Sequence, residues 1–424
     1  MAVVAGRRGP GVGLLLAAVA LAAAIGLAFG VTAFTSARTS SPHAGASRSP
    51  GASAGPSSSA APVIPTVKVT PVGLVKGLQQ WSKPITLHIR NGTLLSVKAT
   101  DNTGVAMPGT STRSSWVSTG QEIPNRSYQL QAYIRGKDGV SAYHTLSVTT
   151  APPDGTIGTN VTLQLGKTVG VGFPIVVKFT KPVAYASRAA IEKAMTVSMS
   201  VPVTAGWHWF SSTEMHFRGQ TYWPAAEQLV LHDHITDVQM APGIWGSSDR
   251  DVSFSVGDAH VTTVDVATQH MTVMDNGRVL GTYPVSTGRA EYPTKGGVHL
   301  VLEKFTSKVM DSSTVGIPQF LPGTQSQNPA YYKEKELWAT RISNGGAFVH
   351  FQPLTLKEQG IHPASHGCVN TNLQAAKAFY DLSVPGDVVN VVNVVNAPPT
   401  LGDAGMMDWN LTWAQWQAGS AAQS

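Results

Sequence analysis

The stretch 361-IHPASHGCVN-370 holds the only cysteine of a 424-residue chain, with histidines two and six places before it. A reactive thiol needs a base, a setting that favours the thiolate, and donors for an oxyanion, and this stretch and its neighbours carry residues for all three. Gly367, lacking a Cβ, lets the backbone turn tightly and bring an N–H close to a substrate carbonyl. The segment from Thr371 reads as a helix, 371-TNLQAAKAFYDLS-383, which would set Cys368 just before a helix N-terminus, where a thiolate is favoured. His366 is too near in sequence to be assigned as the base, because adjacent side chains of an extended segment diverge. His350, in the strand 347-AFVHF-351, is the better partner for a Cys–His pair across two elements. Two other readings compete. A lone cysteine is often an inert buried thiol. His362, His366 and Cys368, with His350 as a fourth, would also make a zinc set, but histidines four apart need a helix and Pro363 and Gly367 make a poor one.

Working outward, the surrounding block opens with 261-VTTVDVATQHMTVMDNGRVLGTYPVSTG-288, whose Asp275-Asn276-Gly277 between alternating apolar runs is a strong hairpin signal. It continues through 298-VHLVLEKF-305, a polar segment from Met310 to Tyr332, 338-WATRI-342 and 347-AFVHF-351, and closes with the strand 387-DVVNVVNVV-395. After it, 408-DWNLTWAQWQAG-419 sets Trp409, Trp413 and Trp416 on one helical face that should dock on the body of the protein.

Upstream, two runs of short alternating strands precede this block. The first spans 66–152 and includes 85-ITLHI-89 and 128-YQLQAYI-134. The second spans 153–257 and includes 173-FPIVVKF-179 and 228-QLVLHDHI-235. Strands of this length and spacing indicate two β-sandwich domains of immunoglobulin-like type. In the second, 187-SRAAIEKAMT-196 reads as a helix with Ser187 as N-cap. The aromatics of 207-WHWF-210 and Trp223 read as core, and His232-Asp233-His234 as a strand pair of histidines lacking a third ligand nearby. The charge of +6 is mild and unclustered, so nucleic acid is not indicated.

The N-terminus reads Arg7-Arg8 and then 9-GPGVGLLLAAVALAAAIGLAFGVTAF-34, long enough to span a bilayer with the remainder outside the cell. The run exceeds a signal-peptide core, which favours a retained single-pass anchor in residues 1–35. Residues 36–65, a Ser/Ala/Gly/Pro tract, bury too little to fold and read as a tether. Outside the cytoplasm a single cysteine has no partner in its own chain, which sharpens the question of what Cys368 is for.

The residues 365-SHGCVN-370, preceded by the strand ending in His350, resemble the active-site signature of L,D-transpeptidases of the YkuD type. Met310-Asp311-Ser312-Ser313-Thr314 resembles the start of the substrate lid in the actinobacterial branch, and the two upstream β blocks and the Trp-rich tail resemble its other modules. The resemblance implies a mainly β chain: two immunoglobulin-like sandwiches (66–152 and 153–257), a YkuD-type catalytic domain with a short helix (258–397), and a C-terminal subdomain (398–424). It implies Cys368 as nucleophile, His350 as general base, and the Phe351 carbonyl orienting the imidazole in the place of a triad carboxylate. Gly367 and Cys368 N–H groups would form the oxyanion hole, His366 and Ser365 would shape the pocket, and Met310 and Asn370 would meet substrate. Val315 stands where an aromatic lid residue is common, and Phe351 where a small polar residue is frequent.

The reaction so implied transfers an acyl group from a peptidoglycan tetrapeptide stem to Cys368, releasing D-alanine, and then to the side-chain amine of a diamino acid on a second stem, giving a 3→3 cross-link. No cofactor or metal is required, and β-lactams of the carbapenem type would be covalent inhibitors. An L,D-carboxypeptidase would use the same residues, and a wall-binding scaffold would leave the third block inert. A sortase would need a downstream arginine, yet none follows Arg341.

Overall fold

The computed structural model describes residues 66–162, 168–395 and 408–422. The apolar run 9–34 and the tether 36–65 lie outside the described residues. Among the described residues no helix is long and apolar enough to cross a membrane, and the fold is mainly β.

In the first block a four-stranded sheet runs in the order Lys68–Val72, Thr86–Arg90, Ser115–Ser118, Gly109–Ser111. A second sheet orders Gly92–Asp101, Ser127–Gly136 and Ser141–Thr149. Period-two alternation explains the packing: in Ser127–Gly136, Tyr128, Leu130, Ala132 and Ile134 are buried while Gln129 and Gln131 are exposed. These meet Ile85 and, from the first sheet, Leu87 and Ile89, around Trp116.

The second block pairs two four-stranded sheets over a core that includes Ile175, Val177, Trp207, Trp209, Phe217 and Leu231. Trp207, Trp209 and Trp223 are buried, and Trp223 Nε1 donates to Phe173 O at 2.7 Å. The helix is Arg188–Ala194, and Ser187 is not its cap in the expected sense. Ser187 ends a 3-10 turn with helical backbone angles and makes no side-chain capping bond, so the turn, not a hydroxyl, starts the helix.

The third block is one nine-stranded sheet. Its strands are β1 (His260–Asp265), β2 (His270–Asp275), β3 (Arg278–Ser286), β4 (Gly297–Leu300), β5 (Glu303–Asp311), β6 (Lys333–Arg341), β7 (Phe348–Phe351), β8 (Val369–Thr371) and β9 (Val388–Val392). Their order is β4-β9-β1-β2-β3-β8-β7-β6-β5. The Asn276-Gly277 hairpin forms as its sequence indicates, both residues having positive φ. The run 298-VHLVLEKF-305 divides into β4 and β5. Helix α1 (Leu373–Leu382) starts two residues later than read from sequence, with the Asn372 side chain accepting from Ala375 N at 2.9 Å. Thr371 belongs instead to β8, a short strand parallel to β7 at the centre of the sheet.

Trp416 is fully buried against the second block, donating from Nε1 to Gly206 O at 2.8 Å. The Arg218 guanidinium lies 4.6 Å from the Trp409 ring and 4.4 Å from the Trp416 ring. His216 Nδ1 meets Asp408 Oδ2 at 2.9 Å, while Asn410 bonds the backbone of Val298 in β4. The C-terminal segment thus ties the second block to the third. The two blocks also share a core, in which Leu300 and Val388 join the apolar side chains of the second block.

Candidate active site

The site forms where β7 and β8 run side by side. In β7, Val349 points into the core under the sheet, while Phe348 packs beside Cys368, Met310 and Ala339 on the other side. His350 is held from behind as Thr371 Oγ1 donates to its carbonyl oxygen at 3.0 Å. Both side chains are nearly buried, Cys368 at 7% exposure and His350 at 3%.

His350 Nδ1 lies 3.0 Å from Phe351 O and 3.3 Å from Glu336 Oε2. That leaves Nε2 as the nitrogen for Cys368, whose sulfur also lies 3.8 Å from Gly346 O. Burial alone would drive His350 toward the neutral form. Hydrogen bonds that the ring donates to Cys368 and Glu336, and the attraction of both, outweigh it and raise the imidazole to about 10.

Glu336 is the residue that sequence reasoning missed. It is 5% exposed, and Gln352 Nε2 donates to its Oε1 at 2.9 Å and to Glu334 Oε2 at 3.1 Å. The signal lay in 333-KEKEL-337: β6 turns Lys333, Lys335 and Leu337 outward and Glu334 and Glu336 inward, so a carboxylate is buried while Leu337 is 39% exposed. An inward charge in a strand marks a built polar site.

The loop 365–368 departs from expectation in two ways. Cys368 is not at a helix N-terminus, because Val369, Asn370 and Thr371 enter the sheet before Asn372 caps α1. The Gly367 N–H, expected as an oxyanion donor, is engaged by Ser365 Oγ at 3.0 Å, and Ser365 Oγ itself donates to Cys368 O at 2.6 Å. The Cys368 N–H pairs with no backbone carbonyl outside the strand ladders among the described residues. Gly367 has φ of +115°, a conformation closed to ordinary side chains.

His366 accepts at Nε2 from Arg289 Nη2 at 2.7 Å and packs between Tyr292 and Tyr332, with ring centroids at 5.1 and 4.9 Å. Burial and the Arg289 charge hold its imidazole below the usual range, so it is a neutral wall of the pocket. His362 stands apart, exposed and paired with Glu358 at 2.6 Å, so the zinc arrangement is not assembled.

Two clefts meet at the loop that holds Cys368, and Cys368 itself lines the first. One, about 160 Å³, is lined by Met310, Glu334, Glu336, His350, Ser365 and Asn370, among others; the second, about 340 Å³, by Pro293, Val315, Gly346, Gly367 and their neighbours. Tyr332 and His366 border both clefts. The Tyr332 hydroxyl is pushed well up by burial and by Cys368, Glu334 and Glu336, and so stays a donor. Asn370 Nδ2 donates to Thr355 Oγ1 at 3.3 Å, placing its amide in the first cleft. At the end of β5, Asp311 accepts from Ser313 N at 3.0 Å and pairs with Lys333 Nζ at 3.0 Å.

Residues 79–239 match the family described as a bacterial Ig domain, and residues 259–391 match the L,D-transpeptidase catalytic domain. The chain is similar to L,D-transpeptidase 2 of Mycobacterium tuberculosis, 33% identical over 341 residues that cover 80% of this chain and 81% of that protein. It is also similar to L,D-transpeptidase 5 of the same organism, 27% identical across 80% of this chain and 73% of that one. Among solved structures, LD transpeptidase LdtMt1 in complex with imipenem is 30% identical, covering 55% of this chain and 99% of its own, with a TM-score of 0.47. The catalytic-domain match takes in both His350 and Cys368, and the similarity to L,D-transpeptidase 2 runs through most of both proteins: the chain belongs to the L,D-transpeptidase family.

Proposed function

We propose that this L,D-transpeptidase forms 3→3 cross-links in peptidoglycan by cysteine acyl transfer. The observation that carries the reading is the buried Cys368–His350 pair, anchored by the Phe351 carbonyl and Glu336, lining one cleft and standing beside a second. The Cys368 thiolate attacks the carbonyl after the third residue of a tetrapeptide stem, and the Cys368 N–H faces the oxyanion. As the C–N bond breaks, His350 gives its proton to the departing D-alanine amine, leaving a thioester and a neutral imidazole. The diamino-acid amine of a second stem then attacks. His350 takes its proton, an amide forms, and the thiolate leaves. Each step moves one proton through His350, and no cofactor enters.

The two clefts suit a donor in one and an acceptor in the other. Glu334 and Glu336 give the first cleft a negative wall that favours an ammonium-bearing acceptor. A carbapenem presents a strained amide to the same thiolate and should acylate it. The two upstream blocks are read as separate immunoglobulin-like modules which, with the tether 36–65 and the anchor 1–35, carry the catalytic domain into the wall space from a single-pass membrane attachment. Incubation with a disaccharide-tetrapeptide, analysed for dimer, tests the reaction. A 3→3 dimer supports it, whereas D-alanine release without dimer makes the protein a carboxypeptidase.

A further inference from the structure

A cluster of potential ligands lies on the second block. Alternation in the strand Gln228–His234 buries Asp233 and turns His232 and His234 outward, and Asp251 sits directly across from His232 on the neighbouring strand Asp249–Val256. Sequence alone offered two histidines without a third ligand; strand pairing supplies it. Asp251 Oδ1 lies 2.8 Å from His232 Nδ1 and 2.9 Å from His234 Nε2, and the three atoms fall within 4.8 Å of one another.

The second observation is independent of that contact. His232 Nε2, the nitrogen facing away from Asp251, is 2.8 Å from Ser198 Oγ on the other neighbouring strand. Asp251 can only accept, so it holds the proton on Nδ1 while the Ser198 hydroxyl donates to Nε2; the ring is fixed from both sides, the way metal-binding histidines are oriented, and a bound cation would displace the Nδ1 proton. All three ligands stand on paired strands of one sheet, so little order need be gained on binding. The site is open to solvent, which leaves room for water to complete the coordination.

We propose that His232, His234 and Asp251 form a binding site for a divalent late transition-metal ion, with Cu²⁺ held more tightly than Ni²⁺ or Zn²⁺. Two imidazoles and a carboxylate, with water to complete the set, suit Cu²⁺, Ni²⁺ and Zn²⁺, and the general affinity order puts Cu²⁺ first. The ion would bridge two strands of the sheet without touching the catalytic cleft.

The test is titration of the full-length chain with Ni²⁺, which does not oxidise the thiol, and then with Cu²⁺, by calorimetry and by thermal melting. His234→Asn and Asp251→Asn serve as separate variants. Each replaces a side chain at the surface, so both should melt like the parent without metal and release D-alanine at the parent rate. Binding of one ion per chain in the low micromolar range, weakened at least tenfold in each variant, with a metal-dependent rise in Tm confined to the parent, is the expected result. Equal stoichiometry and affinity in parent and variants would place the ion elsewhere, at Cys368 and His350 for example, and overturn the assignment. So would no binding below about 100 μM in the parent, which would leave the cluster a hydrogen-bonded network only.

Discussion

Replacing Glu336 by glutamine keeps the size of the side chain and an oxygen facing His350 while removing the charge. A hydrogen bond to a charged group is worth about 1.5–3 kcal/mol. Here the Glu336 oxygen is 3.3 Å from Nδ1 and shares it with the Phe351 carbonyl at 3.0 Å, so the lower end, ~1.5 kcal/mol, applies. That corresponds to about a tenfold loss in kcat/KM for acyl-enzyme formation, and to a fall of about one unit in the imidazole pKa. The sign follows from the charge: a carboxylate favours the imidazolium, so its loss lowers a value that stands at about 10 in the parent. D-alanine release from a tetrapeptide, measured from pH 6 to 11, reads both effects, because the departing amine takes its proton from His350 and the rate falls as that proton is lost. Glu336→Gln should move this alkaline limb down by about one unit. Glu334→Gln should move it less, since Glu334 reaches the site through Gln352. A Glu336→Gln profile superimposable on the parent in both rate and alkaline limb would refute the argument and leave the Phe351 carbonyl as the sole anchor of the ring.

Other consequences are open to measurement. Burial opposes charge on His216, but Asp408 and Glu214 outweigh it and raise the group to about 9. Its stabilisation should therefore be complete below about pH 6.5 and be lost as pH rises through 9, a difference on the order of 3 kcal/mol by linkage. The gap in Tm between parent and His216→Gln should shrink over that interval, and a gap that widened would contradict the pairing. Gly367→Ala should slow acylation more than it alters folding, because a φ of +115° costs a side chain about 1–3 kcal/mol in the loop that holds Cys368; parent-like kinetics would show that the loop accepts a Cβ. Trp416→Ala empties a fully buried site between the second block and the C-terminal segment and should cost about 3–5 kcal/mol. Chemical denaturation measures the loss, and a change under 1 kcal/mol would mean that the segment is only loosely docked.

Much of the catalytic block was legible because its signals are local. Asn276-Gly277 announces a hairpin, and 365-SHGCVN-370 and the histidine of 347-AFVHF-351 stand out against a chain with one cysteine. What was hidden depends on pairing between distant strands. Glu336 looked like surface charge in 333-KEKEL-337 until β6 took its place beside β7 and turned it inward. Arg289, which fixes His366, lies 77 residues away from it in sequence. The early helix start failed because Val369–Thr371 finds a parallel partner in β7, and sheet pairing overrode a helical pattern. The Gly367 N–H, read as an oxyanion donor, is held in this structure by a serine two residues earlier, a local competition that residue type alone does not reveal.

In the proposed reaction Cys368 carries the acyl group. Intact-protein mass spectrometry of the chain quenched during turnover of a tetrapeptide stem, followed by peptide mapping and run beside Cys368→Ala, tests it directly. The expected result is an adduct equal to the stem less D-alanine on the peptide containing Cys368, absent from the variant. Turnover without that adduct in a rapid quench, or D-alanine release that persists in Cys368→Ala, would contradict it.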